Sequence, residues 1–87
     1  MLKVIVISPE AALFEGNAES VVAPAFDGDV GILTGHAPMM TLLGKGELRV
    51  GEGNASKRFN VEGGFLQVLS NEVRVVTEKA TASSSIV

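Results

Sequence analysis

The sequence has no cysteine, no tryptophan and no tyrosine. Without cysteine, neither a disulfide nor a thiolate metal site can staple the 87-residue chain, so stability must come from the apolar core alone. A domain this small buries only about 60–65% of the surface its unfolded chain exposes, which leaves a thin margin. No apolar run approaches the roughly 20 residues of a membrane-spanning helix. The N-terminus also lacks the basic-then-apolar layout of a signal peptide, and the sequon "NAS" at Asn54 is then a chance match. Absence of cysteine fits a cytosolic setting. The first 40 residues hold one lysine against five acids and the remainder six basic groups against five acids, for a net charge of −3. With no basic–aromatic stripe either, direct binding to nucleic acid or anionic lipid is disfavoured.

What is present is a globular composition: 46% hydrophobic and 20% charged residues exclude disorder, and the length fits one domain. Beta-branched residues come in short runs cut by glycine. "LKVIVIS" (2–8) reads as a strand with apolar side chains on both faces, and "PEAALFEGN" as a turn after it. "AESVVAPA" (18–25) is a second strand whose Pro24 points to an edge or bulge. "FDGD" is a turn, "VGIL" a brief strand, "TGHAP" another turn, and "MMTLL" a short apolar run ended by "GKG". "ELRV" alternates, with Leu48 and Val50 inward; "GEGNAS" is a hairpin tip, and "KRFNV" returns with Phe59 and Val61 on one face. "GGFLQVLS" and "NEVRVV" follow, Gly63–Gly64 marking a bulge and Asn71 a tight turn. Both faces of "GGFLQVLS" are apolar, so the pattern does not decide which is inward. The sum is an all-β sandwich or barrel with no substantial helix. The polar "TEKATASSSIV" reads as a tail, which places the domain at residues 1–78 and the tail at 79–87.

The most unusual chemistry lies in "DGDVGILTGHAPMM" (27–40), which holds three glycines, two aspartates, a proline and the only histidine. A catalytic His36 needs an oriented partner and a nucleophile. Asp27 and Asp29 offer the first; Thr34 is close in sequence, but there is no G-x-S-x-G elbow to supply the second. One histidine without cysteine makes a poor metal site, and "DGD" lacks the spacing of a calcium loop. Gly28, Gly31 and Gly35 do not form a phosphate-binding G-x-G-x-x-G. His36 is thus a turn histidine, exposed or bonded to backbone, or a histidine at a protein interface. "TEKA" also brings to mind the lysine-bearing loop of lipoyl carrier domains. There the lysine is mid-chain on a hairpin tip, whereas Lys79 has only eight residues after it.

The same stretch, "DGDVGILTGHAPMMTLL", resembles the "EGELGILPGHAPLLTAL" type of segment in the epsilon subunit of F-type ATP synthase. "VISPEAALFEGNAESVVAPAFDG" is similar to that family's opening hairpins, and "NVEGGFLQVLSNEVRVVTEKA" to its "VSGGFLEVRPNKVTVLADTA". The resemblance covers nearly all of residues 1–80. It implies a flattened sandwich of about ten short antiparallel strands in two sheets. It also implies a non-catalytic rotor role in the central stalk: the domain grips the foot of gamma, sits on the c-ring and helps couple proton flow to ATP synthesis. By position, Gly28, Asp29 and Val30 match the family's c-ring turn; Ser8, Gly35, His36, Ala37 and Pro38 match its gamma-facing surface. No cofactor or metal is implied, and membrane association is indirect, through the complex. The cytoplasmic face of a bacterial inner membrane is favoured over a thylakoid. Thr34 replaces the proline common before "GHAP". The chain stops at "ASSSIV", where the family's helical domain begins, so either a naturally short member, which the ending favours, or a trimmed chain is expected, in both cases without epsilon-type inhibition. The competing expectations are a lipoyl-like carrier on Lys79 or an independent small β-sandwich binding module.

Overall fold

Burial alternates strictly along the first strand, β1 (Leu2–Ile7): Leu2, Val4 and Val6 have no exposed surface, while Lys3 faces solvent. This period of two is the signature of a strand with one face in the core. The computed structural model describes residues 1–52 and 55–82, and every regular element among them is a strand. The others are β2 (Ala12–Ala18), β3 (Ser20–Ala25), β4 (Gly28–Leu33), β5 (Met39–Leu42), β6 (Lys45–Glu52), β7 (Ala55–Leu69) and β8 (Glu72–Ala82).

Hydrogen bonding joins them into one path, β2-β1-β8-β7-β6-β3-β4, with β5 pairing β7. The long strands β7 and β8 serve both halves of that path. The second half of β7 (Phe65–Leu69) pairs with β5 and with the start of β8, which in turn pairs with β1. The first half of β7 pairs with β6 and with the end of β8. One layer is therefore β2-β1-β8-β7-β5, and the other is β8-β7-β6-β3-β4. Leu2, Val4, Val6, Leu66, Val68, Val73 and Val75 from the first layer meet Val21, Ile32, Leu48, Val50, Phe59 and Val61 from the second in a single core. Burying each large side chain contributes about 1.5–3 kcal/mol, which carries a chain with no covalent staple.

The passage between layers is a corner. Gly63 and Gly64 have φ of 74° and 103°, and a Cβ on Gly64 would lie 2.0 Å from the Val76 carbonyl oxygen. Only glycine fits so close an approach in that conformation. Thr77, buried opposite, has its hydroxyl 3.0 Å from the Gly63 carbonyl and 2.9 Å from that of Lys79. The β5–β6 side bends in step, the Leu43 N–H donating to Gly64 O and the Gly63 N–H to Gly44 O.

These facts revise several details of the expected sandwich while keeping its all-β class. Eight strands are present among the described residues, fewer than the ten or so that the resemblance implies: "KRFNV" and "GGFLQVLS" merge into one continuous β7, while β2 adds a strand that the pattern does not show. Gly63–Gly64 is a corner and not a bulge: Glu62↔Lys79 and Gly64↔Thr77 keep one register, so no extra residue is inserted. The pairing is not wholly antiparallel, since β1 runs parallel to β8. "ALFEGNA", expected as a turn, is the edge strand β2, whose one register shift against β1 lies at Val6/Ile7. The boundary expected at 78/79 falls inside β8, where Lys79, Ala80 and Thr81 still pair with Glu62, Val61 and Asn60. Asn54 lies outside the described residues, as do residues 83–87 of the expected tail.

Candidate functional site: an edge strand and its two turns

The ribbon 27–40 is built around β4, the last strand of the hydrogen-bonded path. Ile32 alone is fully buried along it; Gly28, Asp29, Gly31 and Leu33 are exposed and Val30 is half-buried. Six residues at about 3.3 Å each separate the two ends of β4 by about 17 Å.

At one end lies the turn after β3. Gly28 has φ 130°, which lets the chain reverse between Ala25 and Gly28. This turn sits beside the corner, since the Phe26 N–H donates to Leu42 O and the Gly44 N–H to Pro24 O. At the other end the His36 N–H donates to Leu33 O, closing a four-residue turn whose third residue, Gly35, has φ 89°. A positive φ at that position is the requirement of a type II turn. The Gly35 N–H donates in turn to Asn71 Oδ1 at 2.7 Å. Asn71 stands in the β7–β8 hairpin, where Ser70 and Asn71 have φ of 51° and 62°, the left-handed pair a two-residue hairpin requires. Its carbonyl also accepts the Lys3 N–H at 2.8 Å. Asn71 thus clamps the hairpin, the start of β1 and the histidine turn together.

His36 is half-buried and its Nδ1 lies 2.7 Å from Ala37 O; a carbonyl only accepts, so Nδ1 donates. Asp27 and Asp29, the acids that the sequence offered as possible partners of the imidazole, lie at the opposite end of β4 from His36. Among the described residues no three histidine or acidic side chains gather as a metal site would require.

The predicted contact residues fall into three places. Gly28, Asp29 and Val30 stay together at the corner end, and Gly35, His36, Ala37 and Pro38 at the Asn71 end. Ser8 does not join the latter. It closes the β1–β2 turn, its Oγ donating to Ala11 O at 3.2 Å, at the end of β1 away from Asn71. Between Ser8 and β5 the outward face of the first layer carries an apolar row: Ile7 pairs with Val76, Val76 with Phe65, and Phe65 with Leu42. A shallow groove of about 350 Å³ lies there, lined by Ile7, Ser8, Pro9, Phe65, Val76 and Thr77 among others. The sequence places Asn71 in a tight turn but gives neither its clamp on Gly35 nor this row a part in the site. The row was detectable in the apolar character of both faces of "GGFLQVLS"; the reach of Asn71 to Gly35, 36 positions away in sequence, was not.

The exposed hydrophobics concentrate on this ribbon and the residues flanking it, 26–42. Phe26 (67% exposed), Leu33 (63%), Met40 (63%) and Leu42 (63%) are four of the six large apolar side chains left in solvent among the described residues. Leu33 lies on the edge strand β4, Phe26 in the turn before it, and Met40 and Leu42 on β5; exposed apolar groups gathered beside fixed turns mark an interaction surface. The molecule is thus a small β-sandwich docking module.

Comparison with known proteins gives this class a family. Residues 1–83 match the model of the ATP synthase delta/epsilon chain, beta-sandwich domain, and the chain belongs to that family. It is 41% identical over 85 residues to the ATP synthase epsilon chain of Leptospira borgpetersenii serovar Hardjo-bovis, covering 98% of this chain and 67% of that one. It is 40% identical over 81 residues to the epsilon chain of Prochloron didemni, covering 93% and 60%. A chain from the Euglena gracilis mitochondrial ATP synthase superposes with a TM-score of 0.86 at 20% identity, over 93% of this chain and 52% of that one. One from the central stalk/c-ring of the Tetrahymena thermophila mitochondrial ATP synthase gives 0.76 at 18%, over 92% and 65%. At such identities these two establish the fold. The chain spans between about half and two thirds of the length of these proteins.

Proposed function

We propose that this chain acts as an epsilon-type, non-catalytic subunit of the central stalk of an F-type ATP synthase, a rotor element that joins gamma to the c-ring. Family membership sets the context, and the single observation that carries the reading is the concentration of exposed apolar side chains along residues 26–42. In this reading Gly28, Asp29 and Val30 meet the polar loops of the c-ring, where the Asp29 carboxylate suits a basic partner group. Gamma covers the outward face of the first layer, from Ser8 and the Ile7–Val76–Phe65–Leu42 row to Gly35, His36, Ala37 and Pro38. Turns held by Gly35 and Asn71 lower the ordering cost of such docking. The protein is peripheral to the membrane through its complex, and in this reading it works on the cytoplasmic face of a bacterial inner membrane. It uses no cofactor. Lys79 lies within β8 opposite Glu62 and not on a hairpin tip, which removes the support for a lipoyl-like carrier.

The test is reconstitution of the chain with gamma. Leu42→Ser together with Phe65→Ser should weaken that complex by at least about tenfold, the equivalent of roughly 1.4 kcal/mol, while the isolated variant still melts cooperatively. Binding of unaltered strength by a folded double variant would refute the assignment of this face to gamma.

A further inference from the structure

The outward face of the second layer contains a row that the isolated chain does not explain. Gly31 pairs with Val22, Val22 with Arg49, and Arg49 with Arg58, so four strands contribute one residue each. Their neighbours Ile32, Val21, Leu48, Val50 and Phe59 are buried, which turns all four outward. Arg49 and Arg58 therefore stand directly opposite each other, and like charges in such a pair repel. The other basic row on this face is arranged differently: Lys45 pairs with Glu62 and Glu62 with Lys79, so charge alternates and compensates. Among the described residues the one carboxylate within salt-bridge range of the arginine pair is Glu47, 4.0 Å from Arg49 Nε, and it leaves Arg58 unserved.

Gly31 is the second anomaly. Its φ is not in the left-handed region, and a Cβ built on it meets nothing within 4 Å. Glycine weakens a strand interior, and where no internal crowding or turn requires it, the open space above it admits the close approach of another backbone. Gly44, Gly46, Gly51, Gly63 and Gly64, by contrast, all have backbone or side-chain atoms pressed against the position a Cβ would take.

We propose that this row is a docking surface for an acidic segment of a protein partner, laid across β4, β3, β6 and β7. Its backbone passes close over Gly31, an apolar group rests on half-buried Val22, and two carboxylates reach Arg49 and Arg58. The arginines are about 5 Å apart at Cβ, within the reach of carboxylates at alternate positions of an extended chain. Guanidinium groups favour this partner because they bind carboxylates in pairs of parallel hydrogen bonds. An anionic bilayer fits less well: Asp29, Glu47 and Glu62 share the exposed side of this layer and would face the membrane's own charge. The inference stands apart from the assignment of the first layer to gamma.

The test is an NMR titration of the isotopically labelled 87-residue chain with acetyl-Ser-Glu-Ser-Glu-Ser-Glu-amide at low ionic strength. Saturable amide shifts centred on Val22, Gly31, Arg49 and Arg58 are expected. Arg58→Gln should weaken the affinity about five- to tenfold, and Arg49→Gln with Arg58→Gln should abolish it. Gly31→Val should impair binding as well, yet raise the melting temperature of the isolated chain by a few degrees, since valine suits a strand and has open space there. Shifts that persist in the double arginine variant overturn the proposal. So does a melting temperature lowered by Gly31→Val, or phosphatidylglycerol vesicles that shift this row when the peptide does not.

Discussion

Replacing Asn71 separates two contributions that the structure assigns to one residue. Its side chain accepts the Gly35 N–H at 2.7 Å, and its backbone holds φ at 62°. Asn71→Gly removes the hydrogen bond but keeps the left-handed conformation at no steric cost; because the Gly35 N–H is exposed and regains water, the loss should be near the lower bound, about 0.5–1 kcal/mol. Asn71→Ala removes the bond and adds about 1–2 kcal/mol for placing a Cβ in that conformation, for a total of about 1.5–3 kcal/mol. In a domain of this size 1 kcal/mol moves the melting temperature by about 4–8 °C, so glycine should lower it by about 2–8 °C and alanine by about 6–24 °C. Amide exchange supplies the second readout: at Gly35 and His36 it should quicken in both variants, since each frees the turn from its clamp. Equal loss of stability with glycine and alanine would refute the conformational half of this reasoning. Unchanged exchange at Gly35 would refute the other half.

Thr77→Val should destabilise the fold by about 1–3 kcal/mol in chemical denaturation, because the part-buried carbonyls of Gly63 and Lys79 lose the single hydroxyl proton they share; a neutral result would mean they are satisfied without it. Gly64→Ala is expected to be severe, on the order of 3 kcal/mol or more, because the Cβ collides with the Val76 carbonyl; wild-type stability would disprove the corner geometry. Leu66→Ala should cost about 2–5 kcal/mol, while outward-facing Phe65→Ala should cost less than half as much in the isolated chain; the reverse order would show that the faces of β7 have been exchanged.

Much of this architecture is written in short-range patterns. The alternation of "ELRV" and the burial of Phe59 and Val61 follow from period two, and the tight turn at Asn71 follows from the tolerance of asparagine for positive φ. What escaped the pattern depends on long-range pairing. β2 has little alternation because it is an edge strand whose Leu13 and Phe14 only partly pack on the core, so "ALFEGNA" looks like a turn until β1 is beside it. Gly63–Gly64 looks like a break or bulge because sequence cannot tell a bent strand from two straight ones; the constant register of β7 against β8 decides it. The strand character of Lys79–Thr81 comes from pairing with β7, not from its own composition. The ribbon 27–40 was conspicuous through its glycines and histidine. The separation of its two turns, and of Ser8 from His36, emerged only from the topology.

The account rests most heavily on the two turns of β4 engaging different neighbours. Amide exchange of the chain, free and then assembled with gamma and the c-ring, tests this most directly. The expected result is protection of Gly35, His36, Ala37 and the β5 residues on adding gamma, with Gly28, Asp29 and Val30 protected only once the c-ring is present. Protection of neither turn in the complete assembly, or of both by gamma alone, would contradict it.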